Sequence, residues 1–152
     1  MVTGPFENRN FRVKWDGKYV AGVSKISGLR WSADVVSVRD GLTNIEQTGP
    51  GRQKYEPLAL ERGVTFDLTF ENWAQQVMGN EKTQGSILKD LAVELYDPAG
   101  SLVIAYKVYR CWPYAYEASS VLDAEGNAMV VERLMLEYAT FERDTSVAPP
   151  TT

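Results

Sequence analysis

Apolar and polar positions alternate with period two along most of the chain. Phe11, Val13 and Trp15 alternate with charged neighbours, and Asp16-Gly17 separates them from Lys18-Tyr19-Val20-Ala21-Gly22-Val23. Such alternation marks strands with one buried face, and Asp-Gly supplies two residues that accept positive φ, so a β-hairpin is predicted. Ser27-Gly28-Leu29 reads as a bend, and Trp31 to Val38 as an extended run ending at Arg39-Asp40-Gly41. Leu58 and Leu60 then point one way and Ala59 and Glu61 the other, until Gly63 interrupts or ends the strand. Together these runs predict one long hairpin over 31–62, with a tip from Asp40 to Pro57. Within the tip, Gly49-Pro50-Gly51-Arg52-Gln53-Lys54-Tyr55 reads as a tightly bent basic loop, since proline fixes φ and the glycines accept positive values. A structureless tip of that length signals function or ordering by a partner, and Arg39, Asp40, Arg52 and Lys54 suit polar contacts at an interface rim.

Val64, Phe66, Leu68 and Phe70 extend the alternation, after which the period changes. Trp73, Ala74 and Val77 fall at helical spacing, with Asn72 placed as N-cap and Gly79 as the stop, so a short helix is predicted over an open side of the sheet. Asn80 to Ser86 reads as a loop and Ser86 to Asp90 as an added helical turn. Leu91, Val93 and Leu95 alternate again, Asp97-Pro98-Ala99-Gly100 makes a turn, and Leu102, Ile104, Tyr106 and Val108 alternate with Val103, Ala105, Lys107 and Tyr109. Trp112-Pro113-Tyr114 is expected to end or kink that strand. Asp123 to Asn127 reads as a turn, and Met129 to Phe141 as a final long strand with Glu132, Leu134, Leu136 and Tyr138 on one face. The fold expected is mainly β, a sandwich or small barrel with one short helix. Residues 1–143 are expected to form one domain, with 144–152 a tail that is frayed or pinned by a neighbour. Val103, Tyr109, Met135 and Phe141 put apolar or aromatic groups on both strand faces, which two packed sheets explain and which burial against sister subunits explains equally.

Composition narrows the chemistry. The 152 residues, 44% hydrophobic, suffice for one cored domain, and four Trp, eight Tyr and five Phe favour β structure. A net charge of −4 and a pI near 4.9 disfavour nucleic acid and anionic membranes as general partners. With no histidine and the single Cys111, no intramolecular disulfide, usual metal cluster or histidine-based nucleophile can be assembled, and Cys111 reads as a buried, inert thiol. The N-terminus lacks a secretory pattern and no run of about 18 apolar residues occurs, so synthesis and first folding in the cytoplasm, without membrane insertion, are expected. Gly49-Pro50-Gly51 is not followed by Gly-Lys-Ser/Thr, so phosphate binding is a weak reading. Glu94, Glu132 and Glu137 read as a solvated strand face rather than a glycosidase pair, although an acid–base hydrolase using Glu132 and Glu137 is one rival. Trp112, Tyr114 and Tyr116 read as core or interface rather than a base-stacking platform. A structural or binding protein is expected, without enzymatic activity, cofactor or metal. The main alternative is a monomeric β-barrel binding a small ligand between Trp31, Trp73 and Trp112.

Several motifs in order resemble a known family. Val23-Ser24-Lys25-Ile26-Ser27-Gly28-Leu29, Val38-Arg39-Asp40-Gly41, Pro50-Gly51-Arg52-x-Lys54-Tyr55, Leu58-x-Leu60-x-Arg62-Gly63-Val64, Trp73 with Gln76-Val77, Trp112-Pro113 and Val131-Glu132-x-Leu134-x-Leu136 look like the tail-tube proteins of contractile phages and of phage-derived injection systems. The likeness covers roughly residues 10–143 and departs from the family pattern at Glu56-Pro57. It implies a barrel of two packed antiparallel sheets with one flanking helix, and hexameric rings stacked into a hollow tube inside a contractile sheath. Implied partners are further copies of the chain, the sheath protein, baseplate or initiator and tube-terminating proteins, and DNA or protein cargo in the lumen. The resemblance assigns ring-to-ring contacts to the long hairpin, and among its residues to Arg39, Asp40, Gly51, Arg52 and Lys54. An acidic subunit repeated many times also implies a negatively charged lumen through which acidic cargo slides.

Overall fold

The computed structural model describes residues 10–39, 41, 45–79, 87–118, 124 and 131–148. Strands β1 (Phe11–Trp15) and β2 (Lys18–Val20) form the expected hairpin, closed by the Trp15–Lys18 pair, with φ of 53° at Asp16 and 73° at Gly17. Two successive positive φ values give the primed turn whose twist matches its strands. The chain then turns at Ala21-Gly22, and β3 (Val23–Ser27) leaves β2 to pair with β6 (Leu58–Gly63).

The predicted 31–62 hairpin is corrected. β4 (Trp31–Arg39) pairs with β5 (Glu46–Tyr55), so the expected basic loop is itself a strand, and β6 belongs to the other sheet. Proline is tolerated there because, among the described residues, β5 has a neighbour on one side only, and because the register shifts between Ala33 and Val35, opposite Gln53 and Pro50.

Val64 to Phe70 is not a strand either. β6 ends at Gly63, residues 64–68 form a linker, and helix α1 runs from Thr69 to Met78. Asn72 is therefore inside the helix, and the Thr69 N–H donates to the Asp67 carboxylate at 3.1 Å. Gly79 does stop the helix, its N–H donating to Gln75 O at 2.7 Å. Of the turn expected over Ser86 to Asp90, Ile87 is helical, but Lys89 already starts β7 (Lys89–Tyr96). The expected Asn80–Ser86 loop lies outside the described residues, as does the Asp123–Asn127 turn except for Ala124.

β8 (Leu102–Glu117) passes through Trp112-Pro113-Tyr114, which shifts its register but does not end it. Its first part pairs with β7 and its last part, from Trp112, with β9 (Val131–Glu137), so one bent strand joins the two sheets. The final strand breaks at Tyr138-Ala139, and β10 (Thr140–Arg143) pairs with β8. The main path runs β2-β1-β7-β8-β9-β6-β3, wholly antiparallel, with β4 and β5 a separate pair. Its terminal strands β2 and β3 do not pair, so the two-sheet, one-helix fold is barrel-like but not closed.

Val13, Trp15, Leu58, Leu60, Phe70, Trp73, Leu91, Val108, Leu134 and Leu136 make the core. α1 covers the opening with Phe70 and Trp73, whose rings lie 6.1 and 4.9 Å from Trp15. Cys111 is buried as expected, and desolvation pushes its thiol up to about 12, which disfavours the thiolate. Val103 and Ala105 are buried on the β8 face opposite Val108, which accounts for part of the two-sided apolar pattern. Asp144, expected in the tail, donates its N–H to Ala105 O at 2.8 Å.

Candidate assembly surface

The β4–β5 ribbon projects from a single firm attachment. At its base Trp31 pairs with Tyr55, whose ring packs edge-on to Tyr138 and Phe141 at 5.7 and 5.8 Å and whose hydroxyl lies 2.9 Å from Thr140 Oγ1. The Glu56 N–H donates to Arg30 O at 2.9 Å, continuing the pairing into the body. Beyond that base, Val35, Val36, Val38 and Ile45 are exposed, Val35 to 75%. Val35 and Val36 point to opposite faces of the ribbon, so both faces carry apolar side chains. An isolated two-stranded ribbon is marginal in water, and its outer edges leave backbone donors and acceptors unpaired, which suits it to addition of a partner.

The predicted contact residues fall on this ribbon. Arg52 and Lys54 are both exposed on β5, Arg52 within the bulge opposite Asp34, while Arg39 pairs with Glu46 next to the tip. Gly51 is needed for a different reason from the turn geometry expected of it. A Cβ there would sit 3.1 Å from Asp34 O and 3.3 Å from Val36 Cγ1, so any other residue requires these neighbours to give by a few tenths of an ångström. Asp40 lies outside the described residues.

The body contains a polar cluster that strand periodicity missed. Arg62 is fully buried on the inward face of β6, level with Glu132 of β9 and sharing that face with Leu58 and Leu60. Its Nε donates to Glu132, its Nη1 to Ala21 O and Asp67 Oδ2 at 3.1 Å each, and its Nη2 to Asp67 O at 2.7 Å. The guanidinium also lies 4.1 Å from the Phe70 ring centroid. Tyr116 donates its hydroxyl proton to Glu132 Oε2 at 2.6 Å, with Glu71 Oε1 3.2 Å from the same oxygen. Burial, then this bond to Glu132, raises the phenol pKa well above its usual range. Asp67 is held below the usual carboxylate value chiefly by the Thr69 hydroxyl, with Arg62 adding to the effect. Glu132 is thus not part of a solvated face, and it lies on the opposite face of β9 from Glu137, so the two do not form an acid–base pair. The signals for this cluster in the sequence are two charges in phase with leucines, Arg62 with Leu58 and Leu60 and Glu132 with Leu134 and Leu136.

Trp31, Trp73 and Trp112 do not share a cavity. Trp31 is exposed at the ribbon base, Trp73 is in the core, and Trp112 borders a surface cleft with Val77 and Tyr138. Among the described residues no helix is long and apolar enough to cross a membrane, and no group of three or more His, Cys, Asp or Glu could hold a metal.

Residues 7–142 match the model of a protein family described as T4-like virus tail tube protein gp19. No curated protein matches the chain. Among solved structures, a chain of the sheath–tube complex of the extracellular contractile injection system PVC, in its extended state, is 23% identical with a TM-score of 0.80, covering 94% of this chain and 93% of that one. A chain of the anti-feeding prophage tube-terminating cap is 23% identical over 95% of this chain and 94% of its own, with a TM-score of 0.80. A chain of the anti-feeding prophage baseplate, 6-fold symmetrised, is 21% identical over 93% and 97%, with a TM-score of 0.78. At these identities the likeness is one of fold.

Proposed function

The chain belongs to the T4-like virus tail tube protein gp19 family and is a structural tube subunit, and from this premise we propose that its copies close into hexameric rings that stack through the β4–β5 ribbon. The ribbon carries this reading: it leaves the body with apolar side chains on both faces and open backbone edges, a combination that a lone monomer would not keep in water. Closed rings need one patch to meet a different patch, and stacking needs a projection that reaches out of the ring. The 6-fold symmetry of the related baseplate supports the ring size. Arg39, Asp40, Gly51, Arg52 and Lys54 serve the ring-to-ring contact, with Gly51 setting the ribbon's bulge and the charged groups forming its rim.

By analogy with the sheath–tube, cap and baseplate assemblies, the partners of the tube are a contractile sheath, a terminator and a baseplate, and its lumen conducts DNA or protein cargo. The net charge of −4 per copy supports a negatively charged bore that acidic cargo passes without sticking. Assembly takes place in the cytoplasm, and the role is scaffolding rather than catalysis.

The test is electron microscopy with size-exclusion chromatography on the purified chain. Rings and tubes are expected from the parent, and shortened tubes or unstacked rings from Arg52→Glu with Lys54→Glu. A stable monomer at all concentrations would refute self-assembly, and undiminished tube length in the double variant would refute the ribbon's role.

A further inference from the structure

We propose that Tyr55 is a positioning residue: held by Tyr138, Thr140 and Phe141 at the β9–β10 corner, it fixes the angle at which the β4–β5 ribbon leaves the body and so aims the ribbon at the next copy of the chain. This rests on the reading that the ribbon makes the ring-to-ring contact, and it says what sets the ribbon's direction before any partner is met.

The ribbon is the outward continuation of a pair of sheet strands. β3 pairs with β6 up to Ser27 and Ala59, β4 pairs with β5 from Trp31 and Tyr55, and residues 28–30 and 56–57 between them belong to no strand. The backbone ladder is broken at this joint. Pro57 has no N–H to give, and the carbonyl of Gly28, whose φ is 106°, accepts from the Arg30 N–H at 2.7 Å and from the Tyr138 hydroxyl at 2.9 Å. Among the described residues one backbone bond, from the Glu56 N–H to Arg30 O at 2.9 Å, crosses the joint. Beyond it β4 and β5 pack extensively only on each other.

The angle of an arm so attached matters. β4 spans 9 residues, which at about 3.3 Å each puts the tip roughly 26 Å from Trp31, so a swing of about 10° moves the tip by about 5 Å, one whole strand spacing. An arm free to swing that far would miss the register of its partner, and docking would have to stop the motion at an entropic cost.

Side chains supply what the ladder lacks. Tyr55 ends β5, its ring edge-on to Tyr138 and Phe141 at 5.7 and 5.8 Å; those two rings lie 6.2 Å apart, and the Tyr55 hydroxyl is 2.9 Å from Thr140 Oγ1. The three rings thus close a triangle of edge-on contacts. Its far side is anchored on another strand: the Ala139 N–H donates to Tyr109 O at 2.9 Å, and Thr140 and Phe141 pair with Tyr109 and Val108 of β8. The ribbon therefore springs from β3 and β6 but is braced from β8 and β10, and an arm held at two such points does not pivot on its joint. Tyr138 serves both points, since its hydroxyl holds Gly28 while its ring holds Tyr55.

The experiment reads the ribbon's direction without assembly. Full-length chain carrying Ser37→Cys on β4, Gln75→Cys on α1 and Cys111→Ala takes a dye pair at the two exposed positions, and single-molecule energy transfer is recorded at picomolar concentration, where copies do not associate. The parent and Tyr55→Phe are expected to give one efficiency with the donor lifetime of a fixed distance, and Tyr55→Ala a lifetime that reports a spread of distances. Phe141→Ala, which leaves the ribbon's own sequence intact, should release it in the same way, and is the deciding variant if Tyr55→Ala does not fold by circular dichroism. In assembly assays on undyed chains, Tyr55→Ala should lower the assembly constant about tenfold or more and Tyr55→Phe should restore it. A fixed distance in folded Tyr55→Ala or Phe141→Ala overturns the proposal, as does normal assembly by a chain whose ribbon swings. A parent chain that shows the fixed distance yet forms no rings or tubes would instead refute self-assembly itself.

Discussion

At the scale of single residues, Arg62 and Glu132 dominate. Breaking a buried pair leaves an uncompensated charge in the core, so Glu132→Gln and Arg62→Met should each cost about 3–5 kcal/mol in urea unfolding, while Arg62→Met with Glu132→Leu should cost clearly less than the sum of the two single changes. Strict additivity would show that the two side chains are not coupled. A second residue-scale effect is alkaline. Burial raises the Cys111 thiol from 9.0 to about 12 and the Tyr138 phenol from 10.0 to about 12. Folding therefore favours the protonated forms. Their contribution is fully present below about pH 9, where the unfolded chain is also protonated, and declines as pH rises towards 12 because the unfolded state releases protons first. The urea midpoint should fall between about pH 8 and pH 11, and Cys111→Ala should flatten that fall; an unchanged slope in the variant would remove Cys111 as its source.

Elements differ in how far local chemistry sets them. The β1–β2 hairpin was legible because Asp16-Gly17 determines its turn without help from the rest of the chain, and the inward face of β9 was legible because its period is unbroken. The β4–β5 ribbon was not. Gly49-Pro50-Gly51 carries the composition of a turn, and it is a strand because of non-local facts, that among the described residues β5 pairs on one side only and that its register with β4 shifts there. The 64–68 linker was misread for a similar reason. Its alternation is that of a strand, but the buried guanidinium of Arg62 captures Asp67 and starts the helix early, a tertiary contact with no periodicity. Of the candidate site, the residue types and their place on one projecting element were visible in the sequence, whereas the ribbon's geometry and the buried polar cluster of Arg62, Asp67 and Glu132 required the fold. Two glycines test this difference between local and distant control. Gly28, between β3 and β4, has φ of 106°, and a Cβ there would come within 2.0 Å of Pro57 O, so Gly28→Ala should destabilise the whole domain by about 3 kcal/mol or more. Gly51→Ala meets contacts of 3.1–3.3 Å within the ribbon alone, so it should leave the melting temperature of the body nearly unchanged and shorten tubes. Equal melting-temperature losses in the two variants would mean that the ribbon and the body unfold as one unit.

For the whole molecule the governing quantity is charge repeated at every copy. Each subunit carries −4, so copies that meet repel over the distance between their centres, while in the proposed ribbon contact Arg52 and Lys54 would act over only a few ångströms. Salt separates these two ranges. The screening length is about 30 Å at 0.01 M and about 8 Å at 0.15 M, so the repulsion between whole subunits is largely removed across that interval and contact pairs much less so. The contribution of the ribbon's exposed apolar side chains, Val35, Val36, Val38 and Ile45, to the proposed contact would strengthen slightly or not at all with simple salt. Repulsion is therefore the term that changes most, and assembly should increase from low to physiological ionic strength and then level off, as measured by the sedimenting fraction at fixed protein concentration. Arg52→Glu with Lys54→Glu takes the subunit from −4 to −8, because each reversal removes two units, and should steepen the salt dependence while lowering the plateau. Assembly that instead weakens steadily with salt would assign the dominant energy to exposed ion pairs at the rim and demote the apolar ribbon from its place at the centre of the interface.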